Sequence, residues 1–154
     1  MLQLNTPAPN FTLPNQSGES ICLDDYMDIS KVVLYFYPRD DTSGCTLEAQ
    51  QFSALIEKFS ANQTVIIGVS KDSCKSHKSF ITKYDLKVEL IADVDGELCN
   101  KYGAWQEKEK NGVKKMGIVR STFIIDKNGK LIYQEYGVKA DGHAQSILEK
   151  VKAL

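Results

Sequence analysis

The chain is poor in cysteine, histidine and arginine, and the first two scarcities exclude whole classes of protein. Four cysteines in 154 residues are too few and too scattered for a fold built on disulfides. No two of them form a C-x-x-C pair, and neither histidine lies at metal-ligand spacing from a cysteine, so we expect no structural zinc site. The net charge of −1 argues against a nucleic-acid or anionic-membrane partner, because either needs a basic surface.

Long apolar runs are also missing. Residues 32–37 form one of the longest, far short of the roughly 20 residues that cross a bilayer. Residues 1–6 carry neither the basic nor the apolar stretch of a secretory signal, so we expect a cytoplasmic protein with no membrane partner. A length of 154 residues, 42% of them hydrophobic and 25% charged, predicts one domain spanning residues 1–154.

Short runs rich in β-branched and aromatic residues predict the strands. We expect them at residues 32–37, 64–70, 88–92, 121–126 and 130–136. The last two flank Asn128-Gly129, a dipeptide typical of a tight hairpin turn because both residues accept a positive φ. Residues 11–14 and 20–23 predict a further, N-terminal hairpin.

Apolar residues at helical spacing fill the intervals between strands. One helix is predicted from Cys45 to Phe59, and others over residues 74–84, 98–102 and 144–151. The lysine-rich residues 106–119 predict an exposed loop or hairpin. Strands that alternate with helices, followed by a closing hairpin and a helix, indicate an α/β fold of the thioredoxin-like type. In that fold helices flank a central mixed sheet, and here the N-terminal hairpin is an extension.

Cys45 stands where a thiol can become reactive. A buried strand ends at Pro38, a short polar loop follows, and Cys45 begins a helix, where unpaired N–H groups and the helix dipole favour thiolate over thiol. Gly44 permits another molecule to approach the backbone closely, and the Thr42 hydroxyl can both donate and accept a hydrogen bond. The residues alone leave a second interpretation open, in which Cys45 is a small core residue on an apolar helical face.

The pattern Pro-x-x-x-Thr-x-x-Cys, formed by Pro38, Thr42 and Cys45, resembles the active-site motif of the peroxiredoxins. The run Tyr-Pro-x-Asp-x-Thr-Ser-Gly-Cys-Thr-x-Glu at residues 37–48 is similar to that of the bacterioferritin comigratory protein, or peroxiredoxin Q, subfamily. The likeness covers nearly the whole chain, including residues 7–11, 67–72, 102–105 and 120–126. It implies a thiol peroxidase that reduces hydrogen peroxide and small organic hydroperoxides without a metal or organic cofactor.

The resemblance also implies a role for each matched residue. Cys45 would be the peroxidatic cysteine, which attacks the O–O bond and becomes a sulfenic acid. Thr42 would bond the peroxide and the thiolate, and Pro38 would shield the site. Arg120 would hold the thiolate and polarise the substrate, while Glu48 would orient Arg120.

The residues themselves favour Arg120 for a charged role. The chain has 17 lysines but only two arginines, Arg39 and Arg120. A site that needs a permanent charge on a rigid fork of donors selects arginine. Without the resemblance, a surface arginine beside a strand is an equal alternative. Arg39 lies in a loop where any basic residue would serve, so we predict no catalytic role for it.

The recycling route departs from the family pattern. Relatives carry a resolving cysteine five residues after the peroxidatic one or in the next helix, and here these positions are Gln50 and Ile81. The leading prediction is a one-cysteine enzyme whose sulfenic acid is reduced by an external thiol, either thioredoxin or a low-molecular-weight thiol. The alternative is a Cys45–Cys74 disulfide reduced by thioredoxin. That route needs the first helix to unwind so that the two Cα atoms approach within about 7 Å.

The remaining thiols and histidines receive no chemical role. Cys99 lies on an apolar face and is expected to be buried and inert, and Cys22 has no predicted role. His77 and His143 are expected to be structural or solvated.

Two other classes of function compete with the peroxidase. A thioredoxin-like carrier or isomerase would need the C-x-x-C pair that the chain lacks. A non-catalytic binding module on the same fold would not need Thr42 and Arg120 to accompany Cys45. The resemblance also favours a monomer.

Overall fold

The computed structural model describes residues 2–154, which form a central sheet, two smaller hairpins and the helices that pack on them. The strands are β1 (Thr12–Pro14), β2 (Ser20–Cys22), β3 (Lys31–Phe36), β4 (Thr64–Ser70), β5 (Glu89–Ala92), β6 (Trp105–Lys110), β7 (Val113–Ile118), β8 (Ser121–Ile125) and β9 (Leu131–Tyr136). The helices are α1 (Ser43–Ala54), α2 (Ile56–Ala61), α3 (Cys74–Tyr84), α4 (Glu97–Lys101) and α5 (His143–Lys152). A short 3-10 helix, Leu23–Tyr26, was not predicted from the sequence.

The central sheet has the order β5-β4-β3-β8-β9. Strands β3, β4 and β5 run parallel, whereas β8 is antiparallel to β3 and β9 is antiparallel to β8. Along β3 alternate side chains point to opposite faces, and from Val32 to Phe36 every one of them is buried. Because both faces are covered, the strand is a continuous apolar run rather than an alternating one.

Two hydrophobic cores lie on the two faces of the sheet. Helices α1, α2, α3 and α5 cover the face that bears Val33 and Tyr35. Helix α4 and the N-terminal segment around Phe11 cover the opposite face, which bears Leu34. This arrangement confirms the predicted α/β architecture, with helices flanking a central mixed sheet and an N-terminal hairpin, β1–β2, beside it.

The prediction of one helix from Cys45 to Phe59 is wrong. The helix breaks at Leu55, which has φ −103° and ψ 5° and donates its N–H to Phe52 O at 3.1 Å. In a continuous helix residues 52 and 59 would be separated by about 10 Å along the axis. The break lets Phe52 and Phe59 pack with ring centroids 5.9 Å apart and fill the core together.

Residues 106–119, expected as a loop or hairpin, form the hairpin β6–β7. Its turn is Asn111-Gly112, with φ 53° and 78°, the conformation that closes two-residue hairpins. The strands predicted at 121–126 and 130–136 are β8 and β9, also as expected. Within residues 2–154 no helix is both long and apolar enough to cross a membrane.

Candidate active site

Cys45 lies near the carboxyl end of the central strand β3. The loop after β3, residues 37–42, leads into α1, and Cys45 is the third residue of that helix. The first helical hydrogen bond runs from Thr46 N to Thr42 O at 2.8 Å, so the N–H of Cys45 precedes it and has no partner within the helix. The Cys45 side chain is 2% exposed. A nearly buried thiol therefore sits against the positive end of a helix dipole.

Arg120 lies at the same end of β3, although it is distant from Cys45 in the sequence. Ser121 at the start of β8 pairs with Phe36 at the end of β3, so the residue before β8 must lie beside the loop that follows β3. Arg120 Nη2 donates to Cys45 Sγ at 3.4 Å, and Nη1 donates to Glu48 Oε1 at 2.6 Å. The structure thus brings together three of the predicted site residues, Cys45, Glu48 and Arg120.

The ion pair of Glu48 and Arg120 is almost completely shielded from solvent. The Glu48 side chain is fully buried and that of Arg120 is 15% exposed. Burial raises the pKa of Glu48 to about 7, although the charge and hydrogen bond of Arg120 oppose this change. Burial alone would lower the pKa of Arg120, but the negative charges of Glu48 and Cys45 more than compensate and raise it. Arg120 therefore stays charged beside the sulfur.

Gly44 makes room for the guanidinium. A Cβ at this position would lie 3.1 Å from Arg120 Nη2, closer than side chains normally pack. Gly44 was expected to admit another molecule, but the group that approaches it is the chain's own Arg120. A side chain before Cys45 would therefore press on the guanidinium that contacts the sulfur.

Asp40 anchors the loop before Cys45 to α3. Its carboxylate accepts hydrogen bonds from Tyr37 OH at 2.6 Å and Ser76 Oγ at 2.8 Å, and it lies 2.8 Å from His77 Nδ1. His77 Nε2 lies 2.9 Å from the carbonyl oxygen of Ile91. Both ring nitrogens therefore have polar partners, and the ring connects Asp40 to the backbone of β5. His77 is 0% exposed, so of the two expected environments, structural or solvated, it has the structural one.

The next residue adds a second link to α3. Asp41 has φ 58°, a left-handed conformation that aspartate tolerates better than most residues. Its carboxylate accepts from Lys83 Nζ at 2.8 Å and from Tyr84 OH, and these hydrogen bonds lower the pKa of Asp41. Two adjacent carboxylates thus tie the loop to one helix. Asp40 belongs to the motif at residues 37–48, but nothing in the sequence indicated what it binds.

Thr42 and Pro38 border the site without touching its charged centre. Thr42 is the N-cap of α1, is exposed, and donates its hydroxyl to Arg39 O at 3.1 Å. Among the hydrogen bonds of residues 2–154, none joins the Thr42 hydroxyl to Cys45. Pro38 is half-buried at the end of β3, and Arg39 is exposed. The predicted roles of Thr42 and Pro38 stay predictions.

The other thiols are free and differ in environment. Cys99 is 0% exposed, and burial together with Asp93 raises the pKa of its thiol well above the ordinary range, in agreement with a buried, unreactive residue. Cys74 is the first residue of α3 and is half-buried. His143 is 7% exposed, its Nε2 lies 2.7 Å from Thr122 Oγ1, and burial lowers its pKa. It is therefore structural rather than solvated.

The chain is similar to known proteins over most of its length. Residues 4–134 match the AhpC/TSA family. A Bcp peroxiredoxin of Helicobacter pylori is 46% identical over 150 residues, which are 97% of this chain and 98% of that protein. A Bcp peroxiredoxin of Bacillus subtilis is 40% identical over 151 residues, 98% of this chain and 96% of that protein.

Two solved structures are similar over most of their length. A cysteine-to-serine mutant of PrxQ from Xylella fastidiosa has a TM-score of 0.93 and 34% identity, and the match covers 99% of this chain and 97% of that one. The bacterioferritin comigratory protein of Xanthomonas campestris, whose structures concern alkyl peroxide reduction, has a TM-score of 0.88 and 36% identity over 93% of this chain and 90% of that one. These similarities confirm the predicted thioredoxin-like fold.

Proposed function

The chain belongs to the AhpC/TSA family of peroxiredoxins and is a thiol-dependent peroxidase, and from this premise we propose that Cys45 is its peroxidatic cysteine. The observation that carries the proposal is the contact of 3.4 Å between Arg120 Nη2 and Cys45 Sγ at the start of α1. A permanent cation and unpaired N–H groups both stabilise a thiolate there. Cys99, which is fully buried and whose pKa is raised, has no such environment.

In the proposed reaction the Cys45 thiolate attacks one oxygen of hydrogen peroxide or of a small organic hydroperoxide. The S–O bond forms as the O–O bond breaks, the leaving hydroxide or alkoxide takes up a proton, and Cys45 becomes a sulfenic acid. Negative charge moves from sulfur to the leaving oxygen, so donors fixed at the site lower the barrier. Arg120 and the N–H groups at the start of α1 are such donors.

Three other residues support this step in the proposal. Glu48 is a positioning residue, because its ion pair of 2.6 Å fixes the guanidinium of Arg120. The exposed Thr42 hydroxyl, which now donates to a backbone carbonyl, would turn to bond the incoming peroxide. Pro38 would shield the site where β3 ends. No step requires a metal or an organic cofactor.

For recycling we propose reduction by an external thiol. The two positions where relatives carry a resolving cysteine hold Gln50 and Ile81, and the four cysteines are free. Thioredoxin is the proposed donor, with a low-molecular-weight thiol as the other possibility. A Cys45–Cys74 disulfide is the alternative, and it requires α1 to unwind near Cys45. We also propose a cytoplasmic, monomeric enzyme of one domain.

Mass spectrometry of the reduced protein after an equimolar addition of hydrogen peroxide tests both the site and the route. With dimedone present, we expect a single adduct on the Cys45 peptide and none in Cys45→Ser. Cys74→Ser is the matched control and should give the same adduct as the wild type. A disulfide linking the Cys45 and Cys74 peptides would overturn one-cysteine recycling. An adduct on another cysteine that persists in Cys45→Ser would overturn the assignment of the nucleophile.

A further inference from the structure

A groove beside the active site carries a concentration of positive charge. It has a volume of about 420 Å³ and lies between the hairpin β6–β7 and the end of β3. Four lysines line it, and no acidic residue does: Lys71, Lys108, Lys110 and Lys115. Within residues 2–154 none of the four forms an ion pair, although the chain as a whole has a net charge of −1.

The register of the hairpin brings two of these lysines together. Lys108 and Lys115 are directly opposed, and both line the groove. Glu107 and Glu109, which alternate with the lysines along β6, do not line it. Like charges directly opposed in a hairpin destabilise it. An acidic group placed between the two lysines would relieve this repulsion.

The groove also has an apolar surface. Trp105 and the buried Ile118 line it, and Lys71 Nζ is 4.4 Å from the centre of the Trp105 ring. Towards the tip of the hairpin, Val113 is 65% exposed and Met116 is 47% exposed. An apolar centre within a rim of charge is the composition of a surface that binds another protein.

The position of the groove connects it to Cys45. Pro38 lines it and belongs to the loop that leads into α1. Ile118, which also lines it, precedes Arg120 by two residues, and Arg120 contacts the Cys45 sulfur. A molecule seated in the groove is therefore adjacent to both segments that build the active site.

We propose that this lysine groove docks the protein that reduces Cys45, and that this partner is a redox protein whose thiol is surrounded by apolar and acidic surface. The inference rests on the proposed one-cysteine function, in which each turnover leaves a sulfenic acid that an external donor must reduce. The partner's first thiol attacks the Cys45 sulfur, the S–O bond breaks, and the oxygen leaves as water. Its second thiol then attacks the mixed disulfide, which releases the Cys45 thiolate and the partner's disulfide. Charge complementarity with four lysines that no carboxylate neutralises selects an acidic partner.

The test separates the two half-reactions by stopped flow. The variant is Lys108→Glu/Lys115→Glu, which reverses the charge but keeps two like charges opposed in the hairpin. The matched control is Lys58→Glu/Lys152→Glu, which makes the same change in net charge at exposed positions on α2 and α5. The reductants are a purified thioredoxin of negative net charge and dithiothreitol, which is small and neutral. Each is measured at low and at physiological ionic strength.

We expect the groove variant to be reduced by thioredoxin about tenfold more slowly at low salt, with a weaker dependence on salt than the wild type. Its oxidation by hydrogen peroxide and its reduction by dithiothreitol should match the wild type, as should all rates of the control. An unchanged thioredoxin rate, equal slowing with dithiothreitol, or slowing only with an anionic hydroperoxide substrate would each overturn the proposal. The proposed function fails by a different observation: the wild-type protein would then form no sulfenic acid on Cys45.

Discussion

Glu48 and Arg120 form an ion pair of 2.6 Å in which the carboxylate is fully buried. The same guanidinium donates to the Cys45 sulfur at 3.4 Å. One arginine thus bridges a buried acid and the thiol, and its position depends on the acid. In this account Arg120 supplies charge to the reacting sulfur, and Glu48 determines where that charge lies.

Replacing Arg120 by lysine should slow the reaction of Cys45 with hydrogen peroxide by about 10²- to 10³-fold, the usual effect of losing a preorganised donor. Lysine keeps the charge but cannot bond Glu48 and the sulfur through one rigid fork. Stopped-flow measurement of the second-order rate constant checks this. Arg39→Lys, at an exposed position in the loop before Cys45, is the control and should leave the rate unchanged. A lysine variant as fast as the wild type would show that the fork has no role.

Glu48 should make the fold less stable as the pH rises. Burial raises its pKa from 4.5 to about 7, so between these values the folded state binds more protons than the unfolded state, and the free energy of unfolding falls with increasing pH. The ionisation penalty is absent below about pH 4.5 and complete above about pH 7, and it amounts to about 3 kcal/mol.

Urea unfolding at a series of pH values across this window measures the effect. In Glu48→Gln the decline should be absent, because glutamine does not ionise. In Glu57→Gln, at an exposed position on α2, it should be the same as in the wild type. A decline of equal size in Glu48→Gln would assign it to another group.

Gly44→Ala should reduce activity without reducing stability. The new Cβ would lie 3.1 Å from Arg120 Nη2, and displacing the guanidinium by a few tenths of an ångström should slow Cys45 oxidation about tenfold. Alanine is the better helix former by about 1 kcal/mol, so the free energy of unfolding should hold or rise. Peroxide kinetics and urea unfolding of the same preparation give both values, with Ser43→Ala as the neighbouring control. Equal activity in Gly44→Ala and the wild type would contradict the displacement of the guanidinium.

His77→Gln should destabilise the fold and slow the peroxidase together. It removes the His77 ring from the buried Asp40 carboxylate, and leaving a buried polar group without its hydrogen-bond partner typically costs about 1–3 kcal/mol. It also loosens the loop that leads to Cys45. Asp41→Asn, which alters the exposed link to the same helix, should change stability far less. Urea unfolding measures the free energy of unfolding of both variants. If Asp41→Asn were less stable than His77→Gln, the proposed importance of the two links would be reversed.

The sequence predicted the parts of the site that lie close together along the chain. Pro38, Thr42 and Cys45 form one local motif, and the helix start at Cys45 follows from the strand and loop before it. The strands of the central sheet were predicted because burial on both faces leaves continuous apolar runs.

The contacts between distant segments were harder to predict. Arg120 was identified from a family resemblance and from the scarcity of arginine, whereas its position follows from the pairing of β8 with β3. The pair of Asp40 and His77 was missed, because it depends on how α3 packs over the loop. The break at Leu55 was missed because the apolar spacing of 45, 49, 52, 56 and 59 fits an unbroken helix.

The most direct test of the central claim is the second-order rate constant for hydrogen peroxide in a variant that keeps only one thiol. In the triple variant Cys22→Ser/Cys74→Ser/Cys99→Ser, with dithiothreitol as the reductant, Cys45 alone should sustain turnover at the wild-type rate of peroxide reduction. Cys45→Ser, which keeps the other three thiols, should consume peroxide no faster than free cysteine does. A triple variant that does not reduce hydrogen peroxide would contradict the account, and so would a Cys45→Ser variant that reduces it at the wild-type rate.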